Sequence, residues 1–204
     1  MPDATLAVAD DHANAKQLWT QAKEAFGTAA IFEKRARTYR RLVRGLTFYG
    51  LAIPLIIGAI VLGNLAANRP LAIAIYIASA LGAVQVVISL WSVVADWTGS
   101  LEYSAAANEN NIRLSADLKA LGIEANKPAA GFDVRRAKAV EAYNGQVAQD
   151  QRTLASDDEK VYGYRAALLQ FRSRCTLCDK EPPSMKMPFW KSNRCERCGG
   201  PKKR

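Results

Sequence analysis

Gly45-Leu-Thr-Phe-Tyr-Gly-Leu-Ala-Ile-Pro-Leu-Ile-Ile-Gly-Ala-Ile-Val-Leu-Gly-Asn-Leu-Ala-Ala-Asn68 holds no charged residue, and after Arg69 the stretch from Pro70 to Ala95 is also uncharged. A bilayer core of ~30 Å asks for about 20 apolar residues in a helix. Each run meets that length, and the turn between them, Asn64 to Pro70, is too short to hold a domain. The pattern predicts an all-α membrane protein built on a two-span transmembrane helical hairpin, with spans at about 46–66 and 71–94. Two buried helices of a soluble core fit the pattern poorly. The runs are apolar on every face, and a chain of 204 residues has little protein with which to cover them.

Working outward from the hairpin, the flanks are polar and unevenly charged. The net charge of +9 divides into −2 over residues 1–32, +5 over 33–44, −3 over 96–164 and +8 over 165–204, with Arg69 adding one. The mean hydropathy of −0.10 averages these flanks with the apolar runs and says little by itself. The first run lies too far into the chain for a cleaved signal peptide. Lys34, Arg35, Arg37, Arg40, Arg41 and Arg44 form a basic juxtamembrane cluster, against Arg69 alone in the turn. The Lys/Arg bias of short flanks sets orientation. The expectation is a multi-pass protein of the inner (plasma) membrane with both termini in the cytoplasm.

Four regions follow. Residues 1–44 read as a cytoplasmic N-terminal helix with a basic end, after a disordered start over 1–10. Leu18, Trp19, Ala22, Phe26, Ala29 and Ala30 give that helix an apolar stripe. Residues 45–97 hold the hairpin, its first helix kinked at Pro54 and its second continuing past the membrane toward Leu121. Residues 98–174 are a cytoplasmic helical region, with a linker at 122–131 and one helix from about Asp133 to Arg174. In that helix Val140, Tyr143, Val147, Leu154, Val161, Tyr164, Leu168 and Phe171 recur at spacings suited to a partner helix or a short coiled coil. Residues 175–204 form a small separate tail.

The tail carries all four cysteines as two C-x2-C pairs, Cys175/Cys178 and Cys195/Cys198, with a spacer from Asp179 to Arg194 between them. In a reducing cytoplasm paired cysteines favour metal over disulfides. Two cysteines separated by two others can face one ion from a tight turn, and the spacer brings the second turn back to close a tetrahedron. The expected ion is structural Zn2+ in a zinc-ribbon or knuckle, since four thiolates leave no open position for water or substrate. Gly199-Gly200 gives the second turn its backbone freedom. Lys186, Trp190, Lys191, Arg194 and Arg197 mix aromatic and basic character, which suits nucleic acid or acidic lipid heads; the plainer alternative is a folding staple with a solvated basic surface.

In the second span Ala78, Gly82, Gln85, Ser89, Ser92 and Asp96 recur at spacings of four and three, one small and polar face. Two readings stay open: close packing of helices with Gln85 hydrogen-bonded across the seam, or, in a homo-oligomer, the lining of a narrow pore. No Ser/His/Asp set, phosphate loop or paired-carboxylate motif occurs, and His12 is the one histidine, so the sequence does not read as an enzyme.

Arg35–Arg44, the two runs, the Trp91–Tyr103 exit and the helical region behind them resemble the SLATT family of two-span membrane effectors. The resemblance implies a bacterial conflict or antiphage defence role, in which the protein forms pores on a signal from a sensor or trigger protein. The CxxC–spacer–CxxC tail is similar to mobile-element (mobilome) proteins named for that signature, whose spacer is shorter than Asp179–Arg194 of this chain. The leading expectation is a pore-forming, oligomeric membrane effector. The alternative is a membrane-anchored adaptor whose basic zinc tail binds nucleic acid or a protein.

Overall fold

The computed structural model describes residues 4–66, 72–188 and 193–201. Along them run five helices: α1 (Ala4–Ala66), α2 (Ala72–Val94), α3 (Trp97–Glu124), α4 (Phe132–Asp150) and α5 (Asp157–Gln170). Among the described residues no strand forms; an isolated antiparallel bridge pairs Arg194 with Pro201. The chain divides into two compact units, Met1–Lys34 with Ser104–Arg204, and Arg35–Tyr103.

In the first unit, the N-terminal part of α1 offers small residues at four-three-four spacing. Leu18, Ala22, Ala25 and Ala29 are each 1% exposed or less. Alanine keeps that face thin, so neighbouring helices approach closely. Leu118 and Leu121 near the end of α3, Ala125 just past it, and Phe132 and Tyr143 of α4 complete this core. Burying a residue such as Leu18 or Leu118 contributes about 1.5–3 kcal/mol. Several interior polar groups find partners, although Gln21 Oε1, Asn108 Oδ1 and Ser173 Oγ are buried without one among the described residues. Ser115 Oγ donates to the Ala22 carbonyl (2.7 Å), and buried Asn111 donates to Asp150 (2.7 Å) and to the Ala107 carbonyl (2.9 Å). Phe171, just past α5, meets Trp19 and Phe26 edge-on, at centroid distances of 6.0 and 6.1 Å. α1 and α5 cross at a pair of glycines, where a Cβ on Gly163 would stand 2.5 Å from the Gly27 carbonyl oxygen.

Three sequence expectations are corrected here. Residues 4–10, expected to be disordered, lie in α1, consistent with their alanine content and freedom from proline. The single helix expected from Asp133 to Arg174 is two, α4 and α5. Ser156 ends the intervening turn with a capping box: its hydroxyl accepts from the Glu159 N–H, and Glu159 accepts from the Ser156 N–H at 2.9 Å. Asp157, Asp158 and Glu159 then fill the first turn of α5, where the helix dipole favours negative charge. Val140 and Val147 pack on the core as the periodicity predicts, whereas Leu154 falls in the turn and is 90% exposed.

The third correction lies in the second unit. The helix expected to continue unbroken past the second apolar run stops at Val94 and restarts at Trp97. Asp96 sits between at φ 45°, and its carboxylate accepts from the Gly99 N–H at 3.2 Å. An aspartate that satisfies a free N–H of the next helix ends one helix and starts another. Among the described residues two helices are long and apolar enough to cross a membrane, within Asn14–Ala59 and Ile75–Val94. α1 runs through Pro54 without a break. α2 is 23 residues of almost wholly apolar sequence, and Tyr76, Val93 and Val94 are more than three-quarters exposed.

Candidate metal centre

Each C-x2-C pair is built as the same turn. In the first, the Cys175 N–H donates to the Lys180 carbonyl (3.0 Å) and the Asp179 N–H to the Cys175 carbonyl (2.9 Å). In the second, the Cys195 N–H donates to the Gly200 carbonyl (2.6 Å) and the Gly199 N–H to the Cys195 carbonyl (2.8 Å). The residue after the second cysteine takes positive φ in both, Asp179 at 53° and Gly199 at 64°. Glycine meets that requirement without strain and aspartate tolerates it. The turn chemistry of Gly199 is therefore repeated in the first turn by a residue the sequence reading passed over.

The two turns face one another. The four Sγ atoms all lie within 4.8 Å of one another, with Cys175–Cys195 at 4.0 Å and Cys178–Cys198 at 3.6 Å. A tetrahedron with metal–sulfur bonds of about 2.3 Å has sulfur–sulfur edges of about 3.8 Å, so the donors fit a single metal ion. Cys175, Cys195 and Cys198 are buried and Cys178 half-buried. Burial opposes ionisation at Cys178, Cys195 and Cys198. At Cys195 it is outweighed by backbone N–H groups of Cys198 and Arg197 directed at the sulfur, which bring the thiol down to about 7. At Cys198 burial prevails and pushes the thiol up to about 12. A bound cation would overcome that burial by taking the thiols as thiolates.

The tail was expected to stand apart, yet it belongs to the first unit. Arg165 of α5 attaches it. The side chain is 1% exposed and donates through Nε to the Ser184 carbonyl (2.7 Å), through Nη1 to Cys198 (2.9 Å) and through Nη2 to Lys186 (2.8 Å). One rigid guanidinium thus fixes both the spacer and the second cysteine turn. Leu168, three residues on, packs directly against the cysteines, with Tyr164 beside it. The signal for Arg165 in the sequence is a lone cation in an otherwise apolar stretch, Tyr164-Arg-Ala-Ala-Leu-Leu169.

The basic residues proposed from sequence as a partner surface prove partly structural. Arg194 donates to the Pro188 carbonyl, Arg197 lies 5.3 Å over the Tyr164 ring, and Lys186 supplies a carbonyl to Arg165. Trp190 and Lys191 lie outside the described residues. In the basic cluster before the first apolar run Lys34 sits 4.7 Å over the Tyr162 ring, Arg35 is half-buried, and Arg37, Arg40, Arg41 and Arg44 are exposed. Of the stripe on α2, Ala78, Gly82, Gln85 and Ser89 are half-buried and Ser92 is buried, while Leu81, Val84, Val86, Val87, Ile88 and Leu90 are exposed. Gln85 turns toward α1, donating to the Gly50 carbonyl at 3.5 Å. Asp96 is exposed and serves the helix break.

The model of the mobilome CxxCx(11)CxxC protein family matches residues 15–201, nearly the whole chain. The chain belongs to this family. Its membership thus takes in the helices as well as the cysteines, and the mobilome CxxC family accommodates here a spacer, Asp179 to Arg194, longer than the one in its signature. No curated protein and no solved structure gives a significant match.

Proposed function

We propose that this mobilome protein crosses the inner membrane twice through α1 and α2, keeps both ends in the cytoplasm, and displays there a helical domain closed by a structural zinc ion. The observation that carries the reading is the hairpin surface: Leu55, Tyr76, Val93 and Val94 are each 74% exposed or more, within runs that hold no charge. Such a continuous apolar surface requires a covering, and its length suits a bilayer. The domain acts as an adaptor that docks a partner, protein or nucleic acid, and not as an enzyme, since an ion held by four cysteines has no open coordination position. The inward face of the Ala78–Ser92 stripe and the Gln85–Gly50 contact support an anchoring seam within one hairpin.

A second reading, the triggered oligomeric pore of a defence effector, draws support from a groove of about 700 Å³ on the hairpin. Gly58, Gly82, Gln85 and Ser89 are among its lining residues, small and polar groups suited to a second copy. The architectural resemblance to SLATT effectors points the same way. Two measurements test these readings. Retention of the full chain in membranes after alkaline carbonate washing supports insertion, and release refutes it. Dye leakage from proteoliposomes that disappears with Gln85→Leu would favour the pore, whereas tight vesicles holding inserted protein favour the anchor.

A further inference from the structure

A second groove of about 400 Å³, which shares Ile53 and Gln85 with the first, lies between α1 and α2. Its walls are apolar, formed by Leu46, Ile53, Leu81, Val84 and Ile88, with Arg41, Tyr49 and Trp97 also lining it. Because Gln85 opposes Gly50 in an antiparallel pair, Trp97 belongs at the Arg41 end. Arg41 to Ile53 covers roughly 18 Å of helix at about 1.5 Å per residue. One leaflet of hydrocarbon is roughly 15 Å deep, half of a ~30 Å core. The groove therefore has a cation and the Trp97 ring at headgroup level and a leaflet's depth of mostly apolar wall below, with Tyr49 about 12 Å down from Arg41.

We propose that this groove binds an anionic phospholipid, with Arg41 on the phosphate and one acyl chain along Leu46, Ile53, Val84 and Ile88. The inference rests on the membrane reading above. Two further features favour lipid over a second copy of the chain. Arg40, Arg41 and Arg44 are all exposed, so a parallel copy would bring the same cations against them, whereas a phosphate neutralises them. Gly45 lines the groove, and a Cβ built there meets nothing within 4 Å, which leaves open space beside the chain path.

The test uses the full chain, extracted in mild detergent from membranes containing phosphatidylglycerol and phosphatidylethanolamine, with retained lipid read by native mass spectrometry. Wild type is expected to retain phosphatidylglycerol selectively. Arg41→Gln is expected to lose about fivefold in retention, the effect of one basic residue at an anionic surface. Gly45→Leu, which fills the groove and keeps every charge, should lose as much or more. Arg40→Gln removes the same charge from a residue that does not line the groove, and should keep the lipid. Equal losses for Arg40→Gln and Arg41→Gln, or no preference for phosphatidylglycerol in wild type, would overturn the site. Carbonate washing of the same membranes separates the two levels: release of wild type refutes insertion itself, while inserted protein without selectivity refutes only the groove.

Discussion

The guanidinium of Arg165 donates through Nη1 to the carbonyl oxygen of Cys198 at 2.9 Å, and this contact joins the four-cysteine cluster to α5. The side chain is buried, and its other donors hold Ser184 and Lys186. Removing it leaves several inward-facing carbonyls without their donor. Arg165→Met is expected to destabilise the first unit by about 3–5 kcal/mol, the range for breaking a buried charged interaction. Arg165→Lys should recover little, because an ammonium lacks the planar fork that reaches three carbonyls. Thermal unfolding of the full chain in detergent gives the stability, and amide exchange in residues 184–200 should rise first.

The cluster geometry leads to an expectation about metal content. Full-length protein purified without chelator should hold zinc in stoichiometric amount. Cys195→Ser and Cys198→Ser, which remove a thiolate from the buried side, should lose it. Protons compete with metal for thiolates, so retention should fall as pH drops. Elemental analysis across a pH series checks both. Full zinc content in the Cys195→Ser protein would exclude the four-sulfur site.

Much of this was legible in the sequence because its signals are local. The uncharged runs, the C-x2-C spacing and the alanine-rich face of α1 each rest on residues close in the chain. What escaped was set by single side chains acting on distant backbone. Asp96 looked like the end of a polar stripe on α2, but its carboxylate caps α3, a role that depends on φ and not on periodicity. Ser156 and Glu159 form a capping signature that the apolar periodicity of residues 133–174 overshadowed. Arg165 bonds residues 19 to 33 positions away, which no spacing rule reaches. The tail therefore read as a separate module, although a buried cation and the packing of Leu168 and Tyr164 attach it to α5.

Two glycines in helices should respond oppositely to alanine. At Gly163 a Cβ would meet the Gly27 carbonyl at 2.5 Å and Ile31 side-chain atoms at 2.9 Å. Gly163→Ala is expected to cost about 1–3 kcal/mol by forcing α1 and α5 apart. At Gly145, exposed in α4, nothing lies within 4 Å. Gly145→Ala should stabilise by about 0.5–1 kcal/mol through helix propensity. Melting curves by circular dichroism would give the two signs.

Tyr143 ties stability to alkaline pH. Its hydroxyl donates to Glu24 at 2.6 Å, and the ring is buried in the core. Burial first, and then the bond to Glu24 and the charge of that carboxylate, hold the phenol well above the usual tyrosine range. A folded-state pKa above the unfolded value makes the contribution fully present below about pH 10. It is lost as pH rises toward the folded value, because the phenolate of the buried ring would face the Glu24 carboxylate at the edge of the core. Tyr143→Phe should therefore lose about 1 kcal/mol at neutral pH, the worth of one hydrogen bond. Above pH 10 the variant and wild type should converge, since wild type alone carries this titration. Denaturation series at pH 7 to 11 test the convergence, and parallel curves over that range would remove Tyr143 as the titrating group.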